Sequence, residues 1–495
     1  MSDHERHTHR HAGRTGGPVG QVPGEVPEYG YGWVVYVLGA VLAIGLGYAI
    51  FQLNYVYGQA PHRIIKILIG LALVLFAFFR PWFALHAWLL AIPLGEWLPS
   101  TGIPGINGAS LLIFMLMLSW IVPRMLAGER VFTSTRIAKP LAAYISVLGL
   151  GLLVTSIRGL AGFDLRFMMS VLWQSTLGFF AYFVVANTVK DERQTRNLLV
   201  TMSIGCAVAA AVALRQFAVT PDYRRIAGTL GDVNDLGAYF AVGGTAIVAL
   251  VFSWKAFPRL KRLLVGVSAL LASVAVLLPK SRGAYVGFAG GAAALTYLTS
   301  KRVFVIFLIV LALSPLWAPG FVRERVGETT VDTFEAGLYG DSTDRLDPSA
   351  GVRLKIWGIV TQEFTRRPFI GHGFGSVPSM TEGKLSKPFS AHSLYFETLA
   401  DSGLLGIVVL FWLFVACFRS GAELLRIGSS QLTRGLSIGF LAATVALILA
   451  NVFGQRFTHS TIAGTYFFLA GLVDRNIRIE RQRRSQDSAK GEITS

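Results

Sequence analysis

The sequence is poor in the residues on which most soluble proteins depend. It has two cysteines, Cys206 and Cys417, both inside apolar segments, and this excludes a disulfide framework or a cysteine metal site. Charged residues make up 15% of the 495 residues, against 53% hydrophobic residues. A chain of this length with so little charge cannot be a set of soluble cores, so most of it must lie in lipid.

Apolar segments run through nearly the whole chain, and about fourteen of them are long enough, or nearly so, to cross a bilayer as helices. They lie near residues 32–51, 64–79, 82–98, 106–122, 139–156, 167–189, 196–218, 236–253, 261–279, 284–299, 303–318, 403–418, 434–451 and 459–473. The second, third, tenth and last are short or interrupted, so about twelve crossings with re-entrant segments is the alternative. The sequence therefore predicts an all-α polytopic membrane protein with about 12–14 transmembrane helices.

Acidic residues are also scarce, which leaves a formal net charge of +17. The basic residues cluster in every second loop, which is the positive-inside pattern and not a nucleic-acid surface. These loops and tail contain Arg124, Arg130, Arg136, Lys139, Lys190, Arg193, Arg196, Lys255, Arg259, Lys261, Arg262, Lys301, Arg302, Arg419, Arg426, Arg434 and the residues 475–484. The pattern places them, and both termini, in the cytoplasm.

This topology divides the chain into five parts. They are a disordered cytoplasmic tail (1–30), a first group of transmembrane helices (31–319), a large periplasmic loop with short helices (320–402), the last transmembrane helices (403–474) and a basic cytoplasmic tail (475–495). The first tail has no apolar core of a signal peptide. Its four histidines, which allow metal binding, are better explained by an unstructured polar segment.

Some basic residues break the positive-inside pattern because they fall on the outer side. They are Arg158, Arg166, Arg215, Arg224, Arg225, Lys280 and Arg282. The loop 320–402 adds others, including Arg323, Arg325 and Arg353, but it contains at least as many acidic residues and is not a basic arm. A guanidinium at the outer lipid boundary suits a phosphate or diphosphate ligand. The alternative for any one of them is contact with lipid headgroups.

Two short outer connections concentrate this charge. In the first, Arg282 follows Lys280 and Ser281 in a turn too short to leave its side chains in bulk water, and the amides of the next helix add affinity for anions. The second, residues 225–236, contains two glycines for a tight turn, and Asn234 or Asp235 is predicted to cap the helix that starts at Leu236.

Three features stand out in the loop 320–402. Residues 351–367 have a helical pattern with Trp357, Val360 and Phe364 on one face, typical of a lid at the membrane interface. The glycine-spaced turn 370–375 resembles a phosphate loop only weakly, because no strand precedes it and no lysine closes it. His392 stands just before an apolar segment, where a neutral imidazole can act as a general base near pH 7. His372 and His459 have the same chemistry, and a plain surface role is the alternative for each.

Together these motifs resemble the O-antigen ligase and polymerase family of bacterial membrane enzymes. The matching pieces are residues 228–236, Ser281-Arg282-Gly283, Arg353 with Trp357, residues 368–375, and His392 to Tyr395 running into residues 403–406. Their order and spacing match the family over about residues 215–420. Ser393 departs from the family's usual asparagine.

The resemblance implies an inverting, metal-independent glycosyl transfer without a cofactor, at the periplasmic face of the bacterial inner membrane. The donor would be a polyprenyl-diphosphate-linked glycan, and the acceptor a lipid A core, a glycan or a protein, with membrane lipid and no nucleic acid as the other partner. By position, His392 would be the general base. Arg282 and either Arg225 or Arg224 would hold the diphosphate, with Arg215, Ser281 and Arg353 as further donor-binding residues.

Other functions stay open at this point. Within the family, a ligase moves finished glycan to its acceptor and a polymerase extends a chain of repeat units; the single large outer loop favours a ligase. A lipid-linked oligosaccharide flippase would share the size and apolar content. It would also be expected to have ionisable residues at the bilayer midplane and a repeat between halves. The charges here lie at segment ends, which disfavours transport.

Overall fold

The computed structural model describes most of the chain from residue 79 onward. The described residues are residue 72 and the ranges 79–97, 108–129, 131–159, 164–220, 225–327, 348–385 and 390–494. In them the chain forms helices α1 to α17 and no strand. These helices are α1 Pro81–Ala91, α2 Gly108–Leu126, α3 Ala138–Arg158, α4 Leu165–Thr188, α5 Glu192–Val219, α6 Val233–Tyr239, α7 Thr245–Val251, α8 Arg259–Ala275, α9 Arg282–Thr299, α10 Lys301–Ala312, α11 Ser314–Trp317, α12 Gly320–Gly327, α13 Pro348–Arg366, α14 Val377–Thr381, α15 Leu394–Ile427, α16 Gln431–Ala450 and α17 Ser460–Thr494.

The prediction of an all-α polytopic membrane protein is confirmed. Among the described residues, six helices are long and apolar enough to cross a membrane. They are α3, α4, α5, the run Val233–Val251 that joins α6 to α7 through a π-helical turn, α15, and α16 with the turn that follows it. The predicted segments 32–51 and 64–79 and the tail 1–30 lie outside the described residues, apart from residues 72 and 79. The total of 12–14 crossings therefore stays a prediction.

Small residues let α9 pack closely on α16. A side chain at Gly287 would meet the carbonyl oxygen of Ala446 at 2.9 Å, and one at Gly291 would meet the Ala446 side chain at the same distance. Such spacing of small residues is a common device for close helix packing in membranes, where burial of apolar surface gives little driving force. The packing fixes the position of Arg282, which opens α9.

The basic loops gather at one end of the helices. At that end Glu423 accepts hydrogen bonds from Arg136 and Arg481, and Arg475 donates to the carbonyl of Lys190. Helix α17 begins at Ser460, on the side predicted to be outside, and runs into this basic end. It continues through the range 475–494, which the sequence predicts as a separate tail. In this range Arg478 and Arg484 donate to the carbonyls of Ala186 and Ile427.

The boundary predicted between residues 402 and 403 falls inside α15, at a sharp kink. Gly403 there has φ 59° and ψ −150°, a conformation that is almost confined to glycine. On its far side, the amides of Leu404 and Leu405 donate to the carbonyls of Pro368 and Phe369, at 2.8 and 3.0 Å. The kink therefore connects α15 by hydrogen bonds to the residues of the large loop that follow α13.

Replacing Gly403 with alanine is expected to lower the free energy of unfolding by about 2 kcal/mol or more. The new Cβ would lie 2.6 Å from the carbonyl oxygen of Pro368, besides the strain of the backbone conformation. Thermal unfolding of the purified protein measures the effect. The control is Gly358→Ala in α13, where an added Cβ meets nothing within 4 Å. Equal melting temperatures for the two variants would contradict the role given to the kink.

Candidate functional site

His392 is held in a strained conformation just before α15. Its φ is 49°, which is uncommon for any residue other than glycine. The residue before it is fixed on both sides, since the Ala391 amide donates to a Glu397 oxygen at 2.8 Å and the Trp357 indole donates to the Ala391 carbonyl at 2.9 Å. Strain of this kind persists where surrounding contacts determine it, and it is frequent at functional sites.

Helix α13 provides the indole that holds this segment. Trp357 stacks on Phe396 with ring centroids 4.7 Å apart, and Val360 is fully buried in a small apolar cluster with Ala391. The predicted helix 351–367 and its apolar face are therefore confirmed for Trp357 and Val360. The helix acts as a support for the His392 segment.

The surroundings of His392 favour its neutral form. Burial lowers the pKa of the imidazole below its usual value, and the charges of Arg353 and Arg456 lower it further, while Asp232 opposes them. A neutral imidazole has a ring nitrogen that can accept a proton. At neutral pH the group is thus in the state that a general base requires.

His392 lines a polar cleft of about 320 Å³ at the end of the helices away from the basic loops. The cleft walls come from the segment before α15, the loop between α16 and α17, and helices α4 and α6. Hydroxyl and amide groups form much of the lining. These groups belong to Gln174, Ser175, Ser390, Gln455, Ser460 and Thr461. Such a cleft offers the alternating donors and acceptors that suit a hydroxylated ligand.

Arg456 shares this cleft and was missed by the sequence reasoning. Its guanidinium forms an ion pair with Asp235 and lies 3.9 Å from an Asp232 oxygen. His459 Nε2 stands 3.7 Å from the other Asp235 oxygen, so two of the predicted outer histidines, His392 and His459, border one cleft. The signal for Arg456 was available, because it lies in an outer connection and breaks the positive-inside pattern as Arg282 does.

The two arginine-bearing connections predicted separately come together through Asn234. Arg225 donates from Nη2 to Asn234 Oδ1 at 2.8 Å, and Ser281 donates to the same oxygen at 3.1 Å. Arg225 Nε also donates to the carbonyl of Pro279 at 3.1 Å. The next residue, Arg282, begins α9. Arg225, Ser281 and Arg282, all predicted to bind the donor, therefore lie at one place, the arginine junction.

Neighbouring residues of α6 link that junction to the cleft. Asn234 binds Arg225 and Ser281, while Asp235 binds Arg456. Residue 282 and residue 392 consequently lie at the same end of the protein. Gly283 gives a further link, because a Cβ there would meet the Phe453 side chain at 2.9 Å. Phe453 immediately precedes Gly454, whose carbonyl accepts from the Leu394 amide.

The predicted helix cap in this region is wrong. The cap is Asp232, since its carboxylate accepts from the amides of Asn234 and Asp235 at 2.8 and 3.0 Å. The helix starts at Val233, with Asp232 in the extended conformation that an N-cap adopts. Asn234 and Asp235 then lie in the first turn, which leaves their side chains to bind arginines.

The remaining predicted residues are placed less centrally. Arg353 lies on α13, close enough for its charge to act on His392. Arg215 is exposed near the end of α5, beside Gln216, whose amide oxygen accepts from the Gly228 amide at 2.9 Å. Arg224 lies outside the described residues, so of the pair Arg224 and Arg225 the structure describes the second.

The glycine-spaced turn 370–375 binds an internal carboxylate. Asp401, which is buried, accepts from the amides of Gly375 and Ser376, both at 3.1 Å, and from the Ser376 hydroxyl at 3.0 Å. These amides of the turn already have a partner within the fold. This agrees with the prediction that the turn resembles a phosphate loop only weakly. His372 in this turn lies 3.7 Å from Glu363 and does not line the cleft.

The region that holds these residues matches a known protein family. Residues 267–411 match the sequence model of a family described as O-Antigen ligase. The match begins in α8 and extends past the kink of α15, so it includes Arg282, Arg353 and His392. No curated protein matches the chain.

Proposed function

We propose that this chain, whose residues 267–411 match the O-antigen ligase family, transfers a glycan from a polyprenyl diphosphate to an acceptor hydroxyl. The observation that carries the proposal is the convergence at one end of the helices. There the strained His392 lines the same cleft as Asp235, and the adjacent Asn234 binds Arg225 and Ser281 at the junction that precedes Arg282.

The chemistry divides between the two parts of this arrangement. His392 takes the proton of the acceptor hydroxyl as its oxygen attacks the anomeric carbon of the donor. The bond from that carbon to the diphosphate oxygen breaks, and the electron pair leaves with the diphosphate. Attack from the face opposite the leaving group inverts the configuration at the anomeric carbon. The acceptor hydroxyl occupies the polar cleft beside His392.

The guanidinium groups offset the charge that develops on the departing diphosphate. Arg225 is held by Asn234 and the carbonyl of Pro279, and Arg282 is placed by the start of α9, so both need little reorganisation as the bond breaks. A guanidinium grips two phosphate oxygens with parallel hydrogen bonds, which a point charge cannot do. Fixed cations of this kind take the part that a divalent metal has in other diphosphate-releasing enzymes, and the transfer is accordingly metal-independent.

The two ends of the helices differ in charge, and this difference gives the proposed orientation of the protein in the membrane. The basic loops and the basic half of α17 lie at one end, which the positive-inside pattern assigns to the cytoplasm. The cleft and the arginine junction lie at the other end, which becomes the periplasmic face of a bacterial inner membrane. A donor tethered by its lipid tail reaches charge at the membrane boundary there, while the acceptor enters from water.

A transfer assay with purified components tests the proposal. The protein is incubated in EDTA with a prenyl-diphosphate-linked glycan and with separate candidate acceptors: lipid A core, the glycan itself and protein. Labelled acceptor is the expected result. A lipid A core or protein product indicates a ligase, and an extended glycan indicates a polymerase. Absence of any transfer with intact, folded protein would contradict the proposal.

The pH dependence of transfer is expected to report His392. Because its pKa lies below the usual value, kcat/KM should be level around pH 7 and fall on acidification as the imidazole takes up a proton. Arg353→Ala removes a cation that lowers this pKa, so the acidic limb should move to higher pH. Arg353→Lys, which keeps the charge, is the control. A limb that stays in place, or moves to lower pH, in Arg353→Ala would show that another group titrates.

A further inference from the structure

The short helix α12 lies against the connection that carries Arg282. Arg325 of this helix donates from Nε to the carbonyl of Lys280 at 3.3 Å. Phe321 packs against Phe217 of α5, with ring centroids 5.8 Å apart, and lies 5.7 Å from the Lys280 ammonium. Aromatic and backbone contacts therefore both hold α12 at the arginine junction.

Arg225 and Arg325 bind successive carbonyls of the same connection. Arg225 Nε donates to the carbonyl of Pro279 at 3.1 Å, and Arg325 Nε donates to that of Lys280 at 3.3 Å. Arg282 follows two residues later. Three distant parts of the chain thus bring an arginine to one short turn. Lys280 in that turn has φ 50°, the second strained non-glycine residue among those described.

The charges at this turn are mostly of one sign. Burial lowers the pKa of Arg225, and the charges of Arg325 and Arg282 lower it further, with Asp232 as the opposing carboxylate. Guanidinium groups gathered at one turn repel one another, and an anion bound among them offsets this repulsion. A diphosphate, with several negative charges on oxygens that accept paired hydrogen bonds, fits such a group.

We propose that Arg325 is a third arginine of the anion site formed with Arg225 and Arg282, and that this site binds the diphosphate of the lipid-linked donor. The inference rests on the proposed function and deepens it, because it adds a donor-binding residue from the large outer loop. The same guanidinium chemistry would bind the phosphate of a bilayer phospholipid, so the test must separate the two anions.

The test compares Arg325→Ala with Arg323→Ala in the purified protein. Arg323 lies on the same helix and is exposed, which makes it a matched control. Loss of a charge-assisted hydrogen bond corresponds to about a tenfold or greater rise in the KM for the donor. The KM for the acceptor should be unchanged. Arg325→Lys should recover part of the loss, and Arg323→Ala should stay within about twofold of the parent protein, as surface substitutions usually do.

A binding measurement identifies the anion. Farnesyl diphosphate is titrated into protein in nanodiscs that contain neutral lipid, and again with phosphatidylglycerol added. The expected result is tighter binding of the diphosphate by the parent protein than by Arg325→Ala, with little competition from phosphatidylglycerol. Equal binding by both proteins, or full displacement by phosphatidylglycerol, would overturn the assignment. A merely structural role would lower the melting temperature and change both KM values together.

Failure of this inference can be told apart from failure of the proposed function. If Arg282→Ala and His392→Ala lose transfer while Arg325→Ala keeps the parent KM for the donor, the function stands and the third arginine is wrong. If none of the three changes transfer, the proposed function is itself contradicted.

Discussion

Replacing His392 with alanine is expected to reduce kcat for glycan transfer by about 100-fold or more, the usual contribution of a positioned general base. The acceptor hydroxyl would then have to lose its proton to water. Protein amount and melting temperature should change little, because the substitution leaves the backbone of Ala391, which Trp357 and Glu397 hold, unchanged. The measurement is the initial rate of transfer at saturating donor and acceptor.

His372→Gln is the control for this experiment. It removes an imidazole from the same loop, but one that does not line the cleft. It should therefore retain most of the parent rate. A normal rate for His392→Ala would mean that the assigned base is wrong. His459, which also borders the cleft, would be the next histidine to substitute.

Replacing Arg282 with alanine is expected to lower kcat by about 100- to 1,000-fold, the range for removal of one group that stabilises transition-state charge. Arg282→Lys should restore only part of this loss, since an ammonium lacks the two-pronged grip of a guanidinium. Full activity of the lysine variant would show that simple charge is sufficient. Rates are measured with the same donor at saturating concentration.

Arg166→Ala is the control for Arg282. Both are outer arginines by the positive-inside pattern, but Arg166 is exposed in the first turn of α4. Its loss should leave transfer close to that of the parent protein. Comparable losses in the two variants would indicate a general effect of outer charge on the lipid boundary and not a specific site.

Much of the helical architecture follows from the sequence because the lipid phase forces apolar segments into helices. The segment predicted at 139–156 is α3, Ala138–Arg158, and that predicted at 284–299 is α9, Arg282–Thr299. Element ends were less predictable where tertiary contacts decide them. The helix α15 begins at Leu394 and passes through the kink at Gly403 because the large loop supplies carbonyls to the amides beyond it.

The site was predictable in part for the same reason. Arg225, Ser281 and Arg282 were found because charge in a short outer connection conflicts with the topology. Nothing in the sequence indicates that Asn234 joins them, since its contact with Ser281 links two separate connections of the chain. The sequence does not single out Arg325, because the loop around it has a balanced charge. Its hydrogen bond to Lys280 and the packing of Phe321 bring that arginine to the junction.

The proposed chemistry needs the diphosphate-binding arginines and the imidazole to face one compartment. Cysteine labelling tests this directly, since the two native cysteines, Cys206 and Cys417, are buried and should react little. Cysteines placed at positions 282 and 392 are treated with an impermeant thiol reagent in intact cells with a permeabilised outer membrane, with position 481 in the basic end as control. We predict labelling at 282 and 392 before lysis and at 481 only after lysis. Labelling of 282 and 392 from opposite sides would contradict the account.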